Sequence, residues 1–236
     1  MKNKTTLARQ KIKRFKDEIP LIVFLGDPGS GKGTQSNILR NKFNFYHISP
    51  GDLFREEMKK NSRMGRIIKK NYTHGIPQPN DLVNRLVYER LKKIFRASRP
   101  RGLILDMFPF NSGQAEALDG FQKEFHLKDP IILWLDIKDS EIIDRLSDRF
   151  VCSKCKTNFG KDELKNTKTC PKCGHKLLKR ADDTSEIIQK RVTWYKEVKQ
   201  DLKNFYGKDL WFEINGSPAP EIVAKDIERI IKPFIK

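Results

Sequence analysis

A hydrophobic run that ends in a glycine-rich bend constrains this chain more than any other feature. Leu21-Ile22-Val23-Phe24-Leu25 is apolar at every position, the pattern of a strand buried on both faces. It runs straight into Gly26-Asp27-Pro28-Gly29-Ser30-Gly31-Lys32-Gly33-Thr34, and a helical pattern over Gly31 to Phe43 follows. The bend fits G-x-x-x-x-G-K-[ST] with one residue inserted, Gly33 taking the usual hydroxyl position and Thr34 coming next. Glycines matter here because successive backbone N–H groups must curl around phosphate oxygens with no side chain in the way. The helix that follows points its positive end at the same anion. The predicted phosphate contacts are therefore Gly29, Ser30, Gly31, Lys32, Gly33 and Thr34. Lys32 reaches the terminal phosphates as a point charge, and Thr34 faces the metal or the phosphates. A chance glycine-rich turn would not need a buried strand before it and a helix after it.

Further apolar runs, Leu103-Ile104-Leu105 and Ile131-Ile132-Leu133-Trp134-Leu135, read as strands, with Phe45–Ile48 and Leu210–Ile214 as weaker ones. Helical patterns cover Gly31–Phe43, Asp81–Phe95, Ser140–Arg149, Ser185–Phe205 and Glu221–Ile231. Strands alternating with helices predict an α/β fold, a mostly parallel sheet covered on both faces. Ligands of such sheets sit beyond the C-terminal strand ends, where the glycine bend begins.

Phe150 to Lys179 breaks the alternation. It is rich in Lys, Cys, Gly and Thr, has no helical period and reads as an insert held by something other than a core. All 4 cysteines lie in it, as Cys152-x-x-Cys155 and Cys170-x-x-Cys173. That spacing is two knuckles around one tetrahedral ion. Four thiolates satisfy zinc and leave no open position, so the predicted Zn2+ is structural. His175 is a redundant bystander beside a full thiolate set. Free thiols or two disulfides fit this clustering poorly.

The formal charge is +18, but the basic residues are spread along the chain rather than gathered in a stripe. A solvated surface that attracts anionic nucleotides is the expectation, and no specific nucleic-acid partner. No run is apolar enough to span a membrane, and Met1 to Pro20 is basic without a secretory apolar core. Residues 1–20 read as a basic N-terminal extension, and the expected location is cytoplasmic.

The string Gly26-x-Pro28-Gly29-x-Gly31-Lys32-Gly33-Thr34-Gln35 resembles the adenylate kinase family, and the resemblance continues in register to the C-terminal helix. It includes His47-Ile48-Ser49-Pro50-Gly51-Asp52-Leu53-Phe54-Arg55, then Leu105-Asp106-Met107-Phe108-Pro109 with Gln114-Ala115. It goes on through Asp144-Arg145 to Arg149, then Arg180-Ala181-Asp182-Asp183 and Arg191. The resemblance implies a P-loop NTPase-type three-layer fold with a parallel five-stranded sheet. The core would be 21–149 and 181–236, with a helical insert at 50–80 for the nucleoside monophosphate and a zinc-ribbon-like lid at 150–180. It implies a monomer that takes ATP and AMP as substrates and interconverts them with two ADP.

Phosphoryl transfer spreads negative charge over the moving group, so its catalysts are mainly positioned cations. By the resemblance these are Lys32, Arg149, Arg180 and Arg191. Arg55 holds AMP, Gln114 reads its adenine, Arg145 stacks on the adenine of ATP, and Asp106 holds Mg2+ through water. Three positions depart from the family pattern: Pro50 stands for a Thr, Met107 for a Gly, and Phe110 for an Arg that clamps the acceptor phosphate. Losing a charge-assisted contact costs about 1.5–3 kcal/mol of binding. A weakened or rebuilt acceptor clamp is the expectation. The alternatives are a kinase for another nucleoside monophosphate, or a weakly active nucleotide- or nucleic-acid-binding protein.

Overall fold

The apolar run forms β1 (Leu21–Gly26), the middle strand of a five-stranded sheet. The computed structural model describes residues 18–147, 149–155, 157–160, 164, 167–179 and 184–235. In chain order the first half continues with α1 (Lys32–Phe43), β2 (Tyr46–Ile48), α2 (Pro50–Met58), α3 (Arg63–Thr73), α4 (Asn80–Ala97), β3 (Leu103–Asp106) and α5 (Ser112–Phe125). The second half adds β4 (Ile131–Asp136), α6 (Asp139–Ser147), β5 (Phe150–Cys152), β6 (Asn158–Phe159) and β7 (Leu177–Lys179). It closes with α7 (Ser185–Tyr206), β8 (Trp211–Asn215) and α8 (Pro220–Ile231). The large sheet has the order β2-β3-β1-β4-β8, and every pairing in it is parallel.

Side chains of β1 alternate between two cores. Leu21, Val23 and Leu25 meet Val83, Val87 and Leu91 of α4, Ala115 and Leu118 of α5, and Val198 and Leu202 of α7. Ile22 and Phe24 face the other way, toward Leu39 of α1 and Val223, Ile227 and Ile231 of α8. The expected three-layer α/β fold is what the chain forms. Each wholly buried Leu or Ile contributes about 1.5–3 kcal/mol relative to exposure, so the continuous apolar runs are the energetic centre. At one sheet edge Trp134 and Trp211 stack with ring centroids 5.5 Å apart, both buried.

Three details differ from the sequence expectation. Ile19 is buried and its N–H bonds His126 O at 3.0 Å, so the packed core starts before Leu21 rather than after an extension ending at Pro20. Residues 1–17 lie outside the described residues. The helix expected over Ser140–Arg149 closes at Ser147, leaving Arg149 beyond it. Helix α5, not expected from periodicity, contains Gly113 and Gly120, which blur its apolar stripe. Its start is fixed by Asn111, whose side chain accepts from Gln114 N.

The insert with no helical period becomes a small antiparallel sheet, order β6-β5-β7. Its core is Cys152, Phe159, Leu164, Cys170 and Leu177, too few apolar groups for independent stability without a staple.

Candidate active site

The C-terminal ends of β1, β3 and β8 open into one cleft of about 810 Å³. Its lining includes Gly29 to Gln35, Arg55, Asp106, Gln114, Arg145, Arg149 and Arg191. Backbone geometry builds the first wall. At Gly26, φ is 132° and a Cβ would meet Leu135 O at 2.1 Å, so no side chain fits beside β4. Gly31 caps α1 at φ 93°, in the left-handed region.

Lys32 is buried, and its Nζ donates to Gly26 O (2.8 Å) and Asp27 O (2.7 Å). Burial pushes its pKa down to about 8. The charge of Asp106 opposes that shift, while Arg191 and Arg149 are near enough to add to it. The four predicted groups Lys32, Asp106, Arg149 and Arg191 thus come together. Arg180, predicted beside them, lies outside the described residues. Asp27 is also buried, which raises its pKa although Ile137 N donates to its carboxylate at 3.2 Å. Asp106 ends β3 with Oδ2 3.6 Å from His47 Nε2.

Arg145 sits at the rim on α6. Its guanidinium donates to Gly216 O (3.0 Å), Ser217 O (2.9 Å) and Glu141 (3.2 Å), which ties it to the loop after β8. That flat, fixed cation is suited to lie against a base.

Across the cleft, Arg55 of α2 donates to Asp52 Oδ1 (2.7 Å) and Tyr72 OH (2.9 Å). Burial works against its charge, but Tyr72 and Asp52 outweigh burial and raise its pKa above the ordinary value. Gln114 is buried in the wall. Its Oε1 accepts from Phe110 N at 2.8 Å, and its Nε2 donates to Asn80 Oδ1 at 3.0 Å. Phe110 turns its ring edge to Tyr195, centroids 5.6 Å apart. The same Tyr195 ring lies 5.5 Å from Lys32 Nζ and 6.0 Å from Arg191 Cζ. Met107 adopts φ 59°, a left-handed turn that glycine takes without strain. Pro50 opens α2 as its first residue and also lines the cleft.

Sequence reasoning missed Tyr195, Tyr72, Asn80 and Asn111. Two signals were available. Tyr195 follows Arg191 by one helical turn, so both share a face. Asn111 precedes Gln114 by three, the spacing of a helix-capping pair. Nothing local marks Asn80 or Tyr72, which reach the site only through tertiary packing. Trp194, beside Tyr195, also lines the cleft.

In the small sheet the sulfurs of Cys152, Cys155, Cys170 and Cys173 all lie within 4.8 Å of one another. Cys152 and Cys173 are 3.4 Å apart, Cys155 and Cys170 3.6 Å. Tetrahedral zinc with Zn–S near 2.3 Å separates its sulfurs by about 3.8 Å, so the donor set and its spacing fit. His175 turns away, its Nδ1 donating to Cys173 O at 2.8 Å.

A family model described as adenylate kinase matches residues 24–210 of the chain. Among similar curated proteins, one named adenylate kinase from Lactobacillus gasseri is 35% identical over 89% of this chain and 97% of its own length. An adenylate kinase from Chlamydia muridarum is 37% identical over 80% of this chain and 78% of its own. A third, from Caldanaerobacter subterraneus, is 32% identical over 89% and 95%.

Proposed function

This chain belongs to the adenylate kinase family, and on that premise we propose that it transfers a phosphoryl group reversibly from ATP to AMP, giving two ADP. The observation that carries the reading is the convergence of Lys32, Arg149 and Arg191 with Asp106 beside the glycine bend. Transfer of a phosphoryl group between two oxygens needs little covalent help from the protein. It needs cations fixed around the charge that develops on the equatorial oxygens.

The backbone from Gly29 to Thr34 holds the triphosphate, and Lys32 exchanges its two carbonyl partners for phosphate oxygens. Arg149, Arg180 and Arg191 surround the moving group. Arg145 lies against the adenine of ATP. Asp106 is the carboxylate that would hold Mg2+ through its water; the ion supplies positive charge on the phosphate oxygens. Arg55, pre-set by Asp52 and Tyr72, takes the AMP phosphate, and Gln114 meets the AMP base. The cysteine-bearing sheet covers the donor site and keeps water from the phosphates. Its four thiolates hold a structural Zn2+. In this reading the protein acts as a cytoplasmic monomer.

A coupled assay of ADP formation with AMP, GMP, CMP and UMP tests the reading. AMP gives the highest turnover, with a KM raised by the absence of an arginine at position 110. Another acceptor ahead of AMP sinks the assignment. Zinc is checked by metal analysis of protein purified under reducing conditions; an equimolar ion is expected, and chelation lowers thermal stability.

A further inference from the structure

Two backbone donors that cannot be reversed fix three side-chain amides in the acceptor wall. Phe110 N–H points at Gln114, so the atom it meets is Oε1, at 2.8 Å. Gln114 N–H points at Asn111, so that atom is Oδ1, at 3.0 Å. With its oxygen so placed, Asn111 donates from Nδ2 to Asn80 Oδ1 at 3.0 Å, and Asn80 Nδ2 returns a bond to Asn111 Oδ1 at 3.1 Å. Asn80 Oδ1 also accepts from Gln114 Nε2 at 3.0 Å. Turning over any one of these amides would set oxygen against oxygen and N–H against N–H. The set closes tightly: a Cβ on Gly113 would lie 2.9 Å from Asn80 Nδ2.

After these bonds Gln114 retains one N–H and one oxygen lone pair, in an order that cannot be exchanged. A carboxamide so fixed matches a base edge with a donor beside an acceptor in the same order. Adenine has such an edge in N6–H2 beside N1, whereas the N7 edge of guanine presents two acceptors, O6 and N7. On the edge that corresponds to N6–N1 of adenine, guanine offers O6 beside N1–H, the order reversed. An amide free to turn over would meet that reversed pair; a locked one does not. Asn111 and Gln114 line the cleft and Asn80 stands behind them.

We propose that Asn80 and Asn111 are positioning residues that set the preference for adenine over guanine in the acceptor pocket, by holding the Gln114 amide in one orientation. The proposal rests on the reading that Gln114 meets the acceptor base.

The test is steady-state kinetics with AMP and with GMP at saturating ATP. Asn80→Ala removes the acceptor of Gln114 Nε2. The ratio of kcat/KM for AMP to that for GMP should fall about tenfold, within what a bidentate base contact is worth, mainly through KM. The KM for ATP should stay within twofold. Asn80→Asp keeps an oxygen toward Gln114 and Asn111 and should restore most of the preference. Asn111→Asp keeps the helix cap but cannot donate to Asn80, so it should lower the ratio without unfolding the helix start. Its added charge affects both acceptors alike and cancels in the ratio. Gln114→Ala separates the two layers of the argument. If it collapses the ratio while Asn80→Ala and Asn111→Asp leave it within twofold, the lock is refuted and the base reader stands. The lock is also refuted if Asn80→Asp loses as much preference as Asn80→Ala. If Gln114→Ala leaves the ratio unchanged, the reader itself is refuted.

Discussion

The wall that we assign to the phosphoryl donor is shaped chiefly by main chain, the bend from Gly26 to Thr34, set by glycines at positive φ and by a neighbouring strand with no room for a Cβ. The wall that we assign to the acceptor is shaped by side chains from separate elements, an amide lattice and an aromatic cluster that meet only in the folded protein. The positions that depart from the family pattern, Pro50, Met107 and Phe110, all fall on the second side. A wall made of backbone admits little variation, because its shape depends on absent side chains. A wall made of side chains can exchange one partner for another, as Phe110 does by resting on Tyr195 instead of offering a charge.

The comparison breaks most visibly at Lys32. Lys32→Ala should lower kcat about a thousandfold, on the scale of cations that act in the transition state, with the KM for AMP changed far less. Comparable loss on both substrates would mean that the two walls are not separate. The pH profile offers the next largest effect. Burial holds Lys32 at about 8 against an ordinary 10.5, so the empty protein loses this charge as pH rises through 8. The value of kcat/KM for ATP should therefore fall toward about tenfold per unit above that point. Bound phosphates favour the ammonium, so kcat should hold to higher pH. The KM for AMP should hold too, since Arg55 keeps its charge. The sign for stability is opposite: between about 8 and 10.5 the unfolded chain binds the extra proton, so this group's contribution to stability rises with pH. The smallest effect sharpens the contrast. Phe110→Arg should lower the KM for AMP about tenfold, equivalent to about 1.4 kcal/mol, and leave that for ATP alone. No change would mean that the aromatic cluster already replaces the clamp.

The fold was legible where the physics is local. Runs such as Ile131–Leu135 have to be buried strands, and the glycine bend declares itself by the strand before it and the helix after it. Each cysteine knuckle is equally local, since C-x-x-C spacing declares it, while the pairing of β5 with β7 brings the two knuckles together. Helix α5 was less legible because its glycines and polar residues dilute the period, and the Asn111–Gln114 spacing at its start went unread. The acceptor wall was legible only in part. Arg55 and Gln114 sit in recognisable strings, but Asn80 comes from the start of another helix and Tyr195 from a helix far along the chain. Their roles exist only because the fold brings the start of α4 and the middle of α7 to the same cleft.

Of the 3 tryptophans, two are stacked against each other in the sheet and sealed from solvent, while Trp194 stands in the wall of the cleft. The molecule should therefore carry its own optical gauge: a steady emission from Trp134 and Trp211, and over it one indole whose emission is expected to shift when nucleotide enters the cleft.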